Sequence, residues 1–440
     1  MTPSPQRRRP RKGGRKSAPL LPPPAEVRID ALGADGDGLA RHPDGVALYV
    51  QAALPGERVL ATPRAKAGDG FSAELTRLLS PAPDRVDPPC AHADACGGCP
   101  LMHQQMDAQA RTKRDWVVQA LARRGFETVK VAETLALPFG HRRRMELVVR
   151  RGRLGLTARR DDRVVEIGTC LAVRPGLNTA LTLLRDRLAA HLGEARLRLT
   201  ESATGVDLSV SANFDPDLAL REALAEIADL LDLARVSWST EARAPEPVAE
   251  RRPPAVTFSG TAVTLPPGPF LQASQAAEAA LTALVVDWAD GPKKALDLHA
   301  GLGPFTLALA AGGSQVRAVD ISADALARLN LGAGRAGRGG LVETEARDLH
   351  RRPLEPDELT GWDCVVFDPP RAGAEAQAKC LAASAVRRLV SVSCNPRTFA
   401  RDARILVDGG YRLDRVQPVD AFPMTASVEL VALFTRPDPT

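Results

Sequence analysis

Residues 294–434 repeat one arrangement, a short apolar run that ends on a polar or acidic residue and is followed by a helical stretch. "KALDLHAGLGPF", "QVRAVDIS", "WDCVVFDPP", "RRLVSVSC" and "SVELVALF" are the apolar runs. "ADALARLNLGAG" and "PRTFARDARILVDGG" are among the helical spans between them. Runs this short and this continuously apolar suit strands buried on both faces, and parallel strands need crossover connections of helical length. The expectation is a doubly wound α/β sheet over 263–440, of Rossmann-like type, with ligands at the carboxyl ends of its strands.

The 440-residue chain is long enough for two or three domains with cores of their own. Residues 1–24 are rich in Arg, Pro and Gly without apolar periodicity and read as a disordered basic arm, in which Arg7, Arg8, Arg9, Arg11, Lys12, Arg15 and Lys16 can neutralise phosphates. A solvated tail is the plainer reading of the same stretch. Residues 25–82 string short alternating runs between "GDG", "PDG" and "LPGE" turns, which predicts a small OB-like β-barrel. Residues 83–262 combine strands ("RRMELVVRRGRLGLTARR", "VVEIGTC") with helices ("LNTALTLLRDRLAAHL", "LREALAEIADLL") and are expected to form a central α+β domain. Within it "TEARAPEPVAERRPPA" reads as a Pro-rich surface loop. No stretch has the length and apolarity of a membrane span and no secretory leader opens the chain, so a cytoplasmic, membrane-free protein is expected, as a monomer.

The first strand of the α/β region runs into a loop with Gly301 and Gly303, which lets backbone approach a ligand at a helix N-terminus. The spacing departs from the dinucleotide fingerprint G-x-G-x-x-G. Asp320 ends the next strand, where a carboxylate bonds ribose hydroxyls; capping the following helix is the alternative. Asp348 and Asp368 close the third and fourth strands. Four such ends in order resemble a class I S-adenosylmethionine-dependent methyltransferase, with a dehydrogenase as the lesser reading.

Cys394 ends the next strand, beside Asp368 by topology. A thiolate there can add to carbon 6 of a pyrimidine and make carbon 5 nucleophilic enough to take a methyl group, after which a base removes the carbon 5 proton. The start of "PRTFARDARIL" is expected to lower the thiol's pKa. An inert buried thiol is the competing reading, and it is the one assigned to Cys364 and Cys380.

A second set of thiols, Cys90, Cys96 and Cys99 in "CAHADACGGCP" with Cys170 in "VEIGTC", can close a tetrathiolate site for zinc or for an iron–sulfur cluster. "HRRRMELVVRR", with Arg142, Arg143, Arg144, Arg150 and Arg151, is a candidate phosphate or stacking face, and Phe139 and Phe270 are candidate stacking residues. A charged strand edge that resists aggregation is the alternative.

"FDPPRAGAEAQ", "SVSCNPRTFARD" and "FPMTASVELVALF" together resemble the RNA uracil-C5 methyltransferase family, over a stretch from about Glu26 to the end. The resemblance implies Cys394 as nucleophile and Glu429 as the base. It implies cofactor contacts from Gln272, in "GPFLQAS", and from His299, Asp320, Asp348 and Asp368, with Pro304 standing where many members have Asn. His299 replaces a common Phe, and Ser427 a common His beside the base. It also implies a TRAM domain at 25–82, a [4Fe-4S] cluster on the four cysteines, and an RNA substrate, with rRNA favoured over tRNA. Cytosine-C5 methylation and a catalytically silent RNA binder are the alternatives.

Overall fold

The turn-punctuated stretch after Ala25 closes on itself in the computed structural model, which describes residues 20–436. The basic arm up to residue 19 lies outside the described residues. Strands β1 (Ala25–Leu32), β2 (Gly38–Arg41), β3 (Ala47–Val50), β4 (Arg58–Ala67) and β5 (Gly70–Ser80) form a closed barrel in the order β1-β2-β3-β5-β4. Alternation places Val27, Ile29, Leu48, Val50 and Val59 inside. The "LPGE" turn owes its glutamate to the same packing, because buried Glu57 accepts the backbone N–H groups of Leu54 (2.8 Å) and Ala82 (3.2 Å). This barrel is one compact unit and Asp84 begins a second.

The second unit starts with α1 (Met106–Ala122), β6 (Leu135–Ala136), β7 (Arg144–Arg150), β8 (Arg153–Thr157), β9 (Val164–Val165), α2 (Pro175–Arg187) and α3 (Ala189–Leu192). It continues through β10 (Glu194–Ser202), β11 (Gly205–Ser211), α4 (Leu218–Leu230), β12 (Arg235–Thr240) and β13 (Arg243–Glu250). A seven-stranded sheet runs β13-β12-β11-β10-β7-β8-β9, with the apolar faces of α2 and α4 on its core. The Pro-rich excursion expected as a loop is β13. It pairs only with β12, at the sheet edge, where Pro245 and Pro247 have no second neighbour to which an N–H would be owed.

A hairpin, β14 (Ala255–Phe258) and β15 (Thr261–Thr264), leads into α5 (Gln275–Ala289), β16 (Lys294–Leu298), α6 (Pro304–Ala311), β17 (Gln315–Asp320), α7 (Ala323–Arg335) and β18 (Val342–Ala346). The chain ends in β19 (Cys364–Phe367), α8 (Glu375–Ala382), β20 (Arg388–Ser393), α9 (Pro396–Asp408), β21 (Arg412–Asp420) and β22 (Glu429–Thr435). These strands build an eight-stranded sheet, β18-β17-β16-β19-β20-β22-β21-β6. The first five are parallel, as expected. One strand, β22, departs from the all-parallel expectation. β22 inserts antiparallel between β20 and β21, the latter a strand that the apolar pattern did not mark. Residues 106–136, grouped with the central domain on sequence, pack here. Val117, Leu121, Phe126 and Val131 join the core under β20 to β22, and β6 pairs with β21. Among the described residues no helix is long and apolar enough to cross a membrane.

Candidate active site

The loop after β16 turns through left-handed backbone at His299 (φ 64°), Gly301 (φ 55°) and Gly303 (φ 79°) before α6 begins. A residue other than glycine in that region is uncommon, and His299 is pinned there by its N–H, which donates to Val319 O at 2.8 Å. At Gly303 a Cβ would stand 2.5 Å from Cδ1 of buried Leu329, whereas at Gly301 it would meet nothing within 4 Å. Gly303→Ala should therefore cost about 2–3 kcal/mol and lower the melting temperature by several degrees, with Gly301→Ala markedly milder; thermal denaturation of the two variants checks the order.

Asp320 at the end of β17 accepts Gly301 N–H (2.9 Å) on one oxygen and Ser322 N–H (2.8 Å) on the other. The cap of α7 is Ser322, whose hydroxyl accepts from Ala325. Asp320 thus ties the glycine loop to the helix start and keeps lone pairs for a ligand. Ile321 beside it is 69 % exposed, an apolar surface at a polar site. Burial lowers the pKa of His299, with Asp320, His350 and Asp348 acting on it from nearby. Asp348 itself accepts the N–H of His350 at 3.0 Å.

Asp297, inside β16, is a site residue that the strand-end pattern passes over, although a carboxylate in the middle of "KALDL" is the signal. It is fully buried, and its Oδ2 accepts both the N–H (3.0 Å) and the hydroxyl (2.6 Å) of Thr306. Its Oδ1 has no hydrogen-bond partner among the described residues. Burial, with Asp368 and Asp320 adding like charge, pushes its carboxyl up to about 7. Asp368 is also pushed up to about 7 by burial, and Gln272 Nε2 stands 3.5 Å from its Oδ2.

Cys394 follows β20 and precedes Asn395, which caps α9 by accepting Arg397 N–H (3.1 Å) and donates to Arg371 O (3.0 Å). The thiol does not have the lowered pKa expected of a helix start. Burial and the nearby Glu429 and Asp368 carboxyls push it up to about 11, against Arg371, which favours the thiolate. Glu429 is the first residue of β22. Because that strand runs antiparallel, its N-terminal end meets the carboxyl ends of β19 and β20. Glu429 is buried, and burial and Asp368 push it up to about 8 while Arg371 opposes. Cys394, Asp368, Glu429 and Arg371 therefore form one electrostatically coupled group. Pro304, at the first position of α6, lines a groove with Ser259, Gln275 and Glu278.

In the basic run, Arg143 is turned inward. Its side chain pairs with Glu278 and donates to Gln272 O (3.1 Å), so it holds the Gln272 loop instead of facing solvent. Arg144 lies 4.8 Å over the ring of Phe270, which is 73 % exposed, and Arg142 lies 5.4 Å over Phe422. Arg142, Arg144 and Arg198 line a common pocket of about 140 Å³.

Cys90, Cys96, Cys99 and Cys170 line one largely apolar cavity of about 250 Å³, together with Arg142 and Met102. Burial pushes Cys99 up to about 12 and raises Cys96 and Cys170. Among the described residues no group of three or more His, Cys, Asp or Glu is gathered as a metal-ion site. The thiols surround a space instead of converging on a point.

The sequence profile of a family described as tRNA (uracil-5-)-methyltransferase matches residues 265–436. An RNA methyltransferase of Caulobacter vibrioides is 41 % identical over 427 residues, covering 93 % of this chain and 100 % of its own. The 23S rRNA (uracil(1939)-C(5))-methyltransferase RlmD of Chromohalobacter salexigens is 32 % identical, covering 94 % and 90 %. The fold is that of the Pyrococcus abyssi tRNA (uracil-54, C5)-methyltransferase, solved with S-adenosyl-L-homocysteine, at a TM-score of 0.74 and 24 % identity over 93 % of this chain and 99 % of that one.

Proposed function

The chain belongs to the family of RNA uracil-C5 methyltransferases, and from that membership we propose that it methylates carbon 5 of one uridine in 23S rRNA, with S-adenosylmethionine as donor, Cys394 as nucleophile and Glu429 as base. The observation that carries the reading is the coupled group at the carboxyl ends of β19 and β20, in which a thiol and a buried carboxyl from different strands share Asp368 and Arg371 as neighbours.

S-adenosylmethionine would supply an electrophilic methyl group on a cationic sulfur. The residues present fit it. Asp297, with an oxygen that accepts no hydrogen bond, and Asp368 have carboxyl pKa values raised by burial, a donor set suited to a cation. Asp320 offers lone pairs to ribose, and exposed Ile321 an apolar surface to a base. The Cys394 thiol would give up its proton to solvent as Sγ bonds to carbon 6 of the uridine. Carbon 5, now an enolate carbon, would take the methyl group, its electron pair displacing the thioether of S-adenosylhomocysteine. The Glu429 carboxylate then removes the carbon 5 proton, the S–C6 bond breaks and the thiolate leaves. Arg371 stabilises both anions when they form, and a bound cation near Asp368 favours ionised Glu429 for the same reason. Reaching the target means unstacking it, which costs a few kcal/mol. The Arg142–Arg144–Arg198 pocket and Phe270 supply phosphate and stacking contacts to offset that, and the barrel is assigned to RNA binding.

The four cysteines suit a [4Fe-4S] cluster better than a lone zinc, because a cavity ringed by thiols takes a body larger than one ion. No step of the reaction needs electrons, so these residues would hold the cluster as a brace between the 90–99 and 170 segments. The test uses anaerobically purified protein with methyl-labelled S-adenosylmethionine on unmodified 23S rRNA and tRNA, followed by nucleoside analysis and iron determination. We expect 5-methyluridine from the rRNA and roughly four irons per chain. 5-methylcytidine, or no product from either RNA, would sink the assignment; product from tRNA alone would move the substrate.

A further inference from the structure

The segment that delivers Glu429 is the turn from the end of β21 to the start of β22, residues 420–428, and besides local bonds such as Thr425 N–H to Phe422 O (3.1 Å) it is held from outside its own sequence. Met424 sits in left-handed backbone (φ 66°), a sparsely populated region for a side chain of this kind. Such a conformation persists only where the surroundings over-determine it. Here the determinants lie more than 300 positions earlier in the chain. Met424 N–H donates to Gln109 Oε1 at 2.9 Å, and Met424 O accepts from Leu101 N–H at 3.0 Å. Gln109, 1 % exposed, completes the clamp by donating from Nε2 to Gln104 O (2.7 Å) and Leu101 O (3.1 Å) and by touching Met424 Sδ (3.1 Å). One turn along α1, on the same face, Lys113 is fully buried, and its ammonium bonds Asp420 and Phe422 O (2.9 Å). Asp420, Phe422 and Met424 are therefore gripped in succession by one helix face and the residues just before it.

We propose that Gln109 and Lys113 are positioning residues for catalysis: α1 acts as a splint that fixes the 420–428 turn and so sets where the Glu429 carboxyl meets carbon 5. This rests on the reading of Glu429 as base. A helix–strand contact needing only stability would be met by the apolar pairs that α1 already makes through Val117 and Leu121. Instead two buried polar side chains are spent on the backbone of a turn and on the Asp420 carboxylate that opens it. Leu101 also stands two residues after Cys99, so the splint continues directly from the cysteine segment.

The experiment is single-turnover methylation by the full chain with Gln109→Met, Gln109→Glu, Lys113→Met and, as control, Glu429→Gln. Each is scored for the Cys394–RNA adduct on denaturing gels, RNA affinity, and KM against kcat. Gln109→Met should lower kcat on the order of 10- to 100-fold, with KM for RNA and the rate of adduct formation within about threefold, and should accumulate adduct as the control does. Gln109→Glu, whose protonated carboxyl can accept from Met424 and donate to a carbonyl, should recover most of the turnover. Wild-type kcat in folded Gln109→Met and Lys113→Met would overturn the proposal. So would loss of RNA affinity and adduct formation together, the pattern of general damage. A fully active Glu429→Gln would instead remove the base assignment beneath it. Should Lys113→Met not fold, the two Gln109 variants decide alone.

Discussion

Cys394→Ala is expected to lower methyl transfer by roughly 10⁴-fold or more while leaving RNA affinity within a few-fold, and Glu429→Gln to stop the reaction one step later, with the RNA covalently held. On the proposed mechanism the two outcomes differ because the two groups act on different bonds. Without Sγ, carbon 6 receives no nucleophile and carbon 5 never becomes reactive. Without the Glu429 carboxylate, addition and methylation proceed, but the carbon 5 proton stays and the S–C6 bond cannot break. A denaturing gel of labelled 23S rRNA separates the cases: no shifted band for Cys394→Ala, and a shifted band that accumulates with time for Glu429→Gln. A Cys394→Ala variant with wild-type turnover would end the covalent mechanism.

The second large effect concerns Asp297. Its carboxyl is buried and pushed up to about 7 from an ordinary value of 3.8. A raised carboxyl means that the folded chain binds a proton that the unfolded chain releases. The protein is therefore free of this penalty below about pH 4, and stability falls as pH rises from about 4 to about 7 and is level above that. A rise of that size bounds the cost at about 4 kcal/mol, and the coupling to Asp368 and Asp320 makes about 1–3 kcal/mol the working figure. Asp297→Asn should therefore raise the melting temperature of the ligand-free protein by a few degrees at pH 8 and leave it nearly unchanged at pH 4. The same change should weaken S-adenosylmethionine binding about tenfold or more while affecting neutral S-adenosylhomocysteine less, as measured by calorimetry. Equal melting shifts at both pH values would show that the charge is not the source.

How much of the molecule is legible in its sequence depends on the range of the interaction. Parallel strands, glycine loop, strand-end acids and the Cys394 position all follow from local runs and their order, and β16 to β20 are laid down as those runs imply. The direction of β22 does not, because a strand buried on both faces has the same continuous apolar texture whichever way it runs. β13 is hidden by prolines that only an edge position tolerates. The lowered thiol pKa expected at Cys394 fails because two buried carboxyls and desolvation outweigh the helix start, and one of those carboxyls, Glu429, arrives from a strand 35 positions on. Arg143 reads as a solvent-facing cation and proves to be an internal prop for Gln272, a contact spanning 129 positions. Pairings of that length leave no periodic trace.

The insertion of β22 between β20 and β21 also bears on how such a chain can lose its activity. The residue proposed as base opens an interior strand, so a copy shortened before Glu429 would lose the ladder that joins β20 to β21, and the core with it. Truncation at that point would not leave behind a folded second unit that still holds RNA and competes with the intact enzyme. Substitution can, as at Cys394 or Glu429, and a silent descendant of this chain should therefore keep β22 and differ at a few positions.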